Sequence, residues 1–197
     1  MYDVIIIGAG VTGASVARAL SFYQLKVLVL EKHGDVCEES SKANSGIVHS
    51  GYDAKPGSLK AKYNLLGSKS MESFCKKYQI PYRRNGSLVL CFSESDVSSL
   101  EALKTQGEQN GVEGLEILFR PELLKMEKNL SDKVYAALYA PTGAIVDPFE
   151  LTIAQAELAS QNHVEFRFNE NVTGISRTKA GYEVTTRNQT YKSKIIV

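Results

Sequence analysis

The residues best suited to binding chemistry are three glycines and one acid near the N-terminus. Gly8, Gly10 and Gly13 have the spacing G-x-G-x-x-G, and Glu31 follows about 20 residues later. In such a turn the first glycine allows a tight bend, the second lets the backbone approach a pyrophosphate, and the third lets helix and strand pack closely. A carboxylate at the position of Glu31 accepts hydrogen bonds from ribose hydroxyls and repels a 2′-phosphate, which argues against NADP. The pattern predicts a dinucleotide site.

A second segment with chemical potential covers residues 40–52 and contains His49. Small hydroxyl and amide side chains surround a glycine there, a composition that allows close backbone approach to a ligand. Histidine side chains titrate near neutral pH, so His49 is a candidate to accept a hydroxyl proton. The alternative is an ordinary polar loop in which His49 only makes hydrogen bonds. His33 and His163 match no motif, and we interpret them as surface or structural histidines.

The elements that position the glycine turn can be read from the apolar pattern. Residues 3–8 form a β-branched apolar run, typical of a buried strand, and residues 27–30 form a second one that ends at Glu31. Between them, a helical face is predicted from the spacing of Val11, Ala14, Ala17 and Leu20. Strand, turn, helix and strand together make a βαβ unit.

Further elements follow along the chain. Helices are predicted at 58–80, 93–109, 121–127 and 149–160, and strands at 87–92, 115–119, 134–139 and 164–168. Residues 171–177, 182–187 and 190–192 predict an antiparallel meander, and residues 194–197 begin a separate buried strand. In the helix that begins at Ser58, the core-facing stripe is predicted to be Leu59, Tyr63, Leu66, Phe74 and Tyr78.

Composition excludes several classes of function. The chain has 197 residues and a net charge of +1, so it offers no basic field for nucleic acid. No apolar run reaches the length of a transmembrane helix. The N-terminus also lacks the basic segment with which a signal peptide begins. The three cysteines are widely spaced, which favours a reducing compartment, the cytoplasm. No two of them form a CxxC redox pair. We predict no metal site.

Four features together resemble a known family. They are the glycine turn, Glu31, the segment N-S-G-I-V-H-S-G at 44–51 and the segment K-P-G-S-L-K-A at 55–61. The chain resembles FAD-dependent oxidoreductases of the D-amino-acid oxidase-like superfamily, in the branch of L-2-hydroxyglutarate oxidases and bacterial glycerol-3-phosphate dehydrogenase-like flavoproteins. The resemblance implies that these residues correspond to the N-terminal part of a longer protein.

The fold implied by this resemblance is α/β. It has a Rossmann-like FAD-binding domain with a parallel sheet and an antiparallel β-meander, interrupted by part of an α+β substrate domain. The division expected is 1–79 and 148–197 for the FAD-binding domain and 80–147 for the substrate domain. Within the latter, the residues able to bind an anionic substrate are Arg83, Arg84 and Tyr135 or Tyr139; the alternative is that the paired arginines are only solvated side chains of a turn.

The resemblance also implies which residues contact FAD. Residues 42–45 would lie along the pyrophosphate and ribityl chain, residues 46–49 beside the isoalloxazine ring, and Val172 against adenine. His49 would handle a proton, make a hydrogen bond or anchor the flavin covalently. The full expected set is Gly8, Ala9, Gly10, Val11, Thr12, Gly13, Glu31, Lys32, Lys42, Ala43, Asn44, Ser45, Gly46, Ile47, Val48, His49 and Val172.

The implied activity is oxidation of a small anionic hydroxy compound, such as sn-glycerol 3-phosphate or an L-2-hydroxy acid, by hydride transfer to flavin N5. The electron acceptor is oxygen, a quinone or a partner protein, and the location is the cytoplasm or the periphery of a membrane. Two alternatives remain open: oxidation of a small amine acid such as glycine or sarcosine, and a nucleotide-binding module without turnover. A simple NAD-dependent dehydrogenase fits the βαβ unit but not the segment at 44–51.

Overall fold

The computed structural model describes residues 1–197 and shows two compact units. The first comprises residues 1–45 and 147–197, and the second comprises residues 46–146. Residues 46–79, which the sequence-based division placed in the FAD-binding domain, therefore pack within the second unit. The division into an FAD-binding domain and a substrate domain stays a prediction.

The elements alternate between strands and helices along most of the chain. In order they are β1 (Tyr2–Ile7), α1 (Val11–Leu20), β2 (Val27–Leu30), β3 (Ile47–Val48), α2 (Leu59–Tyr78), β4 (Tyr82–Arg83), β5 (Ser87–Cys91), a 3₁₀ turn (Glu94–Asp96), α3 (Val97–Gln109), β6 (Glu116–Phe119), α4 (Arg120–Met126), β7 (Ala136–Ala140), β8 (Ala144–Val146), α5 (Pro148–Gln161), β9 (Glu165–Arg167), β10 (Val172–Thr178), β11 (Gly181–Thr186) and β12 (Thr190–Ile196). No helix combines the length and apolar character needed to cross a membrane.

The first unit is built on one six-stranded sheet with the order β10-β11-β12-β1-β2-β9. Strands β1, β2 and β9 run parallel, and all four residues of β2 are buried, as expected for a strand covered on both faces. One face carries a core to which α1 and α5 contribute the small residues Ala17 and Ala159. The α/β fold with its βαβ unit and meander is confirmed.

Strand β12 differs from the prediction of two separate strands at 190–192 and 194–197. It is continuous: its first half pairs antiparallel with β11, as in Thr185 with Thr190, and its second half pairs parallel with β1, as in Val4 with Ile195. Ser193 lies at the changeover, is fully buried, and donates its hydroxyl to the carbonyl oxygen of Ile195 at 2.6 Å. The polar residues at 192–194 interrupt the apolar pattern, which predicts the end of one strand and the start of another. The backbone instead continues through them as a single strand.

The second unit contains two three-stranded sheets, β3-β8-β4 and β5-β7-β6, with α2, α3 and α4. Strand β7 is central in its sheet and pairs antiparallel with both neighbours. Its Leu138 is fully buried in a core with Leu100 of α3 and Leu115. Val97 and Leu103 of α3 also pack against this core.

Helix α2 begins as predicted but buries a different face. The hydroxyl of Ser58 accepts a hydrogen bond from the N–H of Ala61 at 3.2 Å, which is an N-cap. The predicted stripe is wrong in its first half, because Leu59 and Tyr63 are exposed by 71% and 60%. The buried residues are the small Ala61 and Cys75. Residues two positions apart are separated by about 200° around a helix, so Ala61 lies almost opposite Leu59. The positions of the large apolar residues alone therefore predict the wrong buried face.

Candidate functional site

The glycine turn after β1 has the geometry expected from its spacing. Gly8 has a φ of +101°, a conformation that residues with a side chain rarely adopt. A Cβ on Gly13 would lie 2.0 Å from the carbonyl oxygen of Gly8, so only glycine lets α1 pack this closely on the turn. A Cβ on Gly10 would lie 2.9 Å from the hydroxyl of Ser41. The positive φ of Gly8 and the close contacts at Gly10 and Gly13 explain why glycine stands at these three positions.

Helix α1 begins at the end of this turn and presents its N-terminus to the same region. Its first turn contains no acidic residue that would neutralise the partial positive charge of the helix end. The N–H of Val11 donates to the hydroxyl of Ser41 at 2.9 Å. A helix N-terminus with this chemistry is suited to binding a phosphate group.

Glu31 is held in place by backbone amides. It is 7% exposed, its Oε2 accepts from the N–H of Ala9 at 2.7 Å, and its Oε1 accepts from the N–H of His33 at 2.9 Å. Each carboxylate oxygen has two acceptor sites, so both oxygens retain capacity for a ligand donor. The carboxylate thus links the glycine turn to the end of β2 and remains able to bind ribose hydroxyls.

Turn and acid meet in one cavity of about 280 Å³ within the first unit. Of the predicted site residues, it brings together Gly8, Gly10, Glu31, Lys32 and Val172. Its other lining residues, which the sequence analysis did not assign to the site, are Ile7, Leu30, His33, Glu38, Glu39, Ser41, Glu170 and Asn171. Most of these directly precede or follow predicted residues, so their position next to the motifs is the signal that could have found them.

The rim of the cavity carries a group of paired charges. Glu39 Oε1 lies 2.5 Å from Lys32 Nζ and 2.9 Å from His33 Nε2. Hydrogen bonds from Lys32 first, and then from His33, lower the pKa of the exposed Glu39 carboxyl to about 2. His33, interpreted from sequence as a surface or structural residue, is partly exposed but also lines the cavity, because it follows Glu31 by only two positions.

Glu170 is a second buried carboxylate in the lining. It is 7% exposed, and its backbone N–H donates to the carbonyl oxygen of Glu31 at 2.8 Å. Burial acts to raise the pKa of Glu170, but the polar groups of Thr186, Tyr191 and residues 188–189 around the carboxylate hold it below its usual value. Its Oε2 is buried and makes no hydrogen bond.

The remaining turn and loop residues of the predicted set lie outside the cavity lining. Ala9 lies in the glycine turn, and Val11, Thr12 and Gly13 form the first turn of α1. Lys42, Ala43, Asn44 and Ser45 are exposed, and the amide of Asn44 donates to the carbonyl oxygens of Ser40 and Ser41 at 3.0 and 2.8 Å. Lys42 forms an ion pair with Glu38. Their contacts with FAD stay a prediction.

Residues Gly46, Ile47, Val48 and His49 belong to the second unit. Ile47 and Val48 form β3, which pairs with β8, and Gly46 accepts a hydrogen bond from the N–H of Val146 at 2.8 Å. His49 follows directly and is exposed, between the buried Val48 and Ser50. Its predicted role at the flavin is untested by this geometry.

The predicted anion-binding residues of the second unit have partners of their own. Arg84 Nη1 lies 3.5 Å from Glu72 Oε2, and Arg84 Nε donates to the carbonyl oxygen of Pro141 at 3.4 Å. The ring of Tyr139 lies 2.5 Å from where a Cβ on Gly86 would stand. Arg84 and Tyr139 therefore have structural contacts, and substrate binding by them, or by Arg83 and Tyr135, stays a prediction.

Comparison with known proteins identifies the family. The model of the FAD dependent oxidoreductase (DAO) family matches residues 3–197. The chain belongs to this family. Among curated family relatives, it is 46% identical over 197 residues to glycerol 3-phosphate dehydrogenase of Caloramator mitchellensis, covering 100% of this chain and 41% of that protein. It is 34% identical over 170 residues to mitochondrial L-2-hydroxyglutarate dehydrogenase of Arabidopsis thaliana, covering 86% of this chain and 35% of that protein.

A solved structure from the family has the same architecture. Dithionite-reduced L-alpha-glycerophosphate oxidase from Mycoplasma pneumoniae, with FAD bound, matches with a TM-score of 0.91 and 35% identity. The match covers 99% of this chain and 53% of that one. The chain thus spans about half the length, or less, of the relatives it matches.

Proposed function

We propose that this chain binds FAD and that the protein oxidises a small hydroxy compound, with sn-glycerol 3-phosphate as the first candidate substrate. The observation that carries the proposal is the cavity in which the Gly8–Gly13 turn, the N-terminus of α1 and the Glu31 carboxylate meet. Membership of the family supports FAD as the dinucleotide. Similarity to the glycerol 3-phosphate dehydrogenase and to the glycerophosphate oxidase supports the substrate.

In this proposal the first unit holds the adenosine diphosphate part of FAD. The N–H groups of the glycine turn and of α1 bind the pyrophosphate, because they form an electropositive end without an acid of their own. Glu31 accepts the hydrogen bonds of the ribose hydroxyls, and the backbone of Val172 contacts adenine. Lys32 stands beside Glu31, and residues 42–45 follow the pyrophosphate and ribityl chain.

In this proposal residues 46–49 lie beside the isoalloxazine ring, and His49 is the catalytic residue. When bound, FAD supplies a hydride acceptor for the C–H of the carbinol carbon. His49 accepts the hydroxyl proton, a role that its exposed imidazole allows and that typically contributes about 10²–10⁴-fold in rate. A second candidate substrate class is the L-2-hydroxy acids, favoured by the similarity to the L-2-hydroxyglutarate dehydrogenase.

The test is anaerobic reduction of the flavin in purified full-length protein. We expect a flavin absorbance spectrum after purification and rapid bleaching by sn-glycerol 3-phosphate, with L-2-hydroxyglutarate and sarcosine as competing substrates. Faster bleaching by sarcosine than by either hydroxy compound would show that the protein is an amine oxidase. Protein that purifies without flavin and does not bind added FAD would refute the cofactor assignment. Reoxidation by oxygen, compared with reoxidation by a soluble quinone, identifies the class of electron acceptor.

A further inference from the structure

The segment that follows His49 is buried, although it belongs to no helix or strand. Ser50 is 2% exposed, Ala54 is 1% exposed, and Gly51 between them is also buried. Gly51 has a φ of +101°. On the other side of His49, Val48 is held in β3 by the pairing of this strand with β8. His49 is thus an exposed residue between two buried stretches of backbone.

Two side chains at the end of α3 bind the backbone carbonyl groups of this segment. The amide of Asn110, which directly follows α3, donates to the carbonyl oxygens of Gly51 at 2.9 Å and Ala54 at 2.7 Å. One helical turn earlier, the amide of Gln106 donates to the carbonyl oxygen of Tyr52 at 3.1 Å. Carbonyl groups of a buried segment outside regular secondary structure need such donors, so these bonds determine the path of the backbone.

Close packing of α3 on the segment brings both amides within reach. A Cβ on Gly107 would lie 2.8 Å from the Cβ of Tyr52 and 2.4 Å from the Cδ1 of Leu115, so a side chain there would push the helix away from the segment. Both N–H groups of the Asn110 amide are used for the two carbonyl groups, whereas its Oδ1 is buried without a partner. The Asn110 side chain therefore acts only as a donor to the segment.

We propose that Asn110 and Gln106 are positioning residues for His49. The inference rests on the proposed function, in which His49 accepts a hydroxyl proton. A proton acceptor has to lie within hydrogen-bonding distance of the proton, and a displacement of about 1 Å can cost about 10²-fold in rate. Because His49 is exposed, its position depends on the backbone, which β3 holds on one side and the two amides hold on the other.

The kinetic test uses full-length protein with Asn110→Leu, which keeps the branched shape of the side chain and removes both donors. We expect flavin reduction by sn-glycerol 3-phosphate to slow by about 10–10²-fold, with unchanged FAD content and unchanged KM. The same change made in His49→Asn should cause no further loss, because a positioning residue acts only through the imidazole. If Asn110→Leu does not fold, Gln106→Met carries the comparison, with an expected loss of about tenfold.

The matched control is Leu123→Val, which loses packing in a separate core cluster of the second unit. It should lower the melting temperature without slowing flavin reduction. A rate loss in this control equal to that in Asn110→Leu, or additive losses in the double variant with His49→Asn, would overturn the inference.

A second readout separates this inference from the proposed function. The NMR signal of the His49 imidazole Cε1–H group, identified by its loss in His49→Asn, reports on the surroundings of the ring without turnover. We expect the signal to shift in Asn110→Leu and to stay unchanged in Leu123→Val. An unchanged signal in Asn110→Leu would overturn the inference. If the signal shifts but His49→Asn reduces its flavin at the wild-type rate, the catalytic role of His49 is refuted while the positioning of its ring is confirmed.

Discussion

Alanine substitution at two helical glycines should change stability in opposite directions. Gly13 lies in the first turn of α1, and Gly67 lies in the interior of α2. A Cβ at Gly67 would have no atom within 4 Å, whereas one at Gly13 would lie 2.0 Å from the carbonyl oxygen of Gly8. The chemical change is the same, so only the surroundings differ.

The expected magnitudes follow from these distances. In a helix interior alanine is more favourable than glycine by about 1 kcal/mol, and Gly67→Ala should gain close to this amount. Gly13→Ala gains at most the same amount but must displace backbone atoms of the turn, and this overpacking costs about 3 kcal/mol or more. The net loss is therefore about 2 kcal/mol. For a chain of this size, melting should fall by about 4–8 °C, against a rise of about 2–4 °C for Gly67→Ala.

The assay is thermal unfolding of both variants and wild type, with hydrogen exchange used to follow each compact unit separately. FAD content is measured in parallel, because displacing the turn should also weaken FAD binding by Gly13→Ala and leave that of Gly67→Ala unchanged. If Gly13→Ala were as stable as Gly67→Ala and retained its flavin, the close packing of α1 on the turn would not be a constraint.

Three further predictions concern side chains of the proposed FAD and catalytic sites. Glu31→Ala should weaken FAD binding by about 1.5–3 kcal/mol for each lost hydrogen bond, measured by titration of apoprotein, while the exposed Glu101→Ala should bind FAD normally; equal affinities would refute the ribose assignment. His49→Asn should slow flavin reduction by about 10²–10⁴-fold at normal FAD content, and His163→Asn, at a position with a φ of +68° that asparagine tolerates, should not; wild-type rates would remove His49 from catalysis. The pKa of Glu39 is lowered to about 2 from 4.5, so its ion pairs stabilise the fold fully above pH 4.5 and are lost as the pH falls towards 2. In Glu39→Gln, the free energy of unfolding measured with urea should therefore depend less on pH between 2 and 4.5. A pH profile equal to that of the wild type would contradict this prediction.

The sequence was most informative where one short motif determines the local backbone. The glycine turn, α1, β2 and Glu31 were all predictable, because turn geometry and alternating elements follow from residues within 30 positions. Ser41 was not, although its hydroxyl binds the N–H of Val11. Nothing in a serine-rich loop shows which hydroxyl reaches a helix 30 residues away.

Burial and pairing over long distances were the other limits. The exposed side of α2 could not be recognised from Leu59 and Tyr63, because the buried face is formed by small residues such as Ala61. Likewise, the continuity of β12 depends on β1 and β11, which offer partners on both sides of Ser193. Such features depend on tertiary contacts that local patterns do not encode.

The two-way pairing of β12 has a consequence for how the chain acquires its structure. Val4 of β1 pairs with Ile195, and the N–H of Ile7 donates to the carbonyl oxygen of Val197 at 2.9 Å, directly before Gly8. The strand that carries the glycine turn is thus completed by residues made almost 200 positions later. Contacts so distant in sequence are costly to close and form late. A chain still on the ribosome therefore lacks the strand that pairs with β1. If the proposed FAD site is correct, the cofactor can bind there only after β12 has emerged.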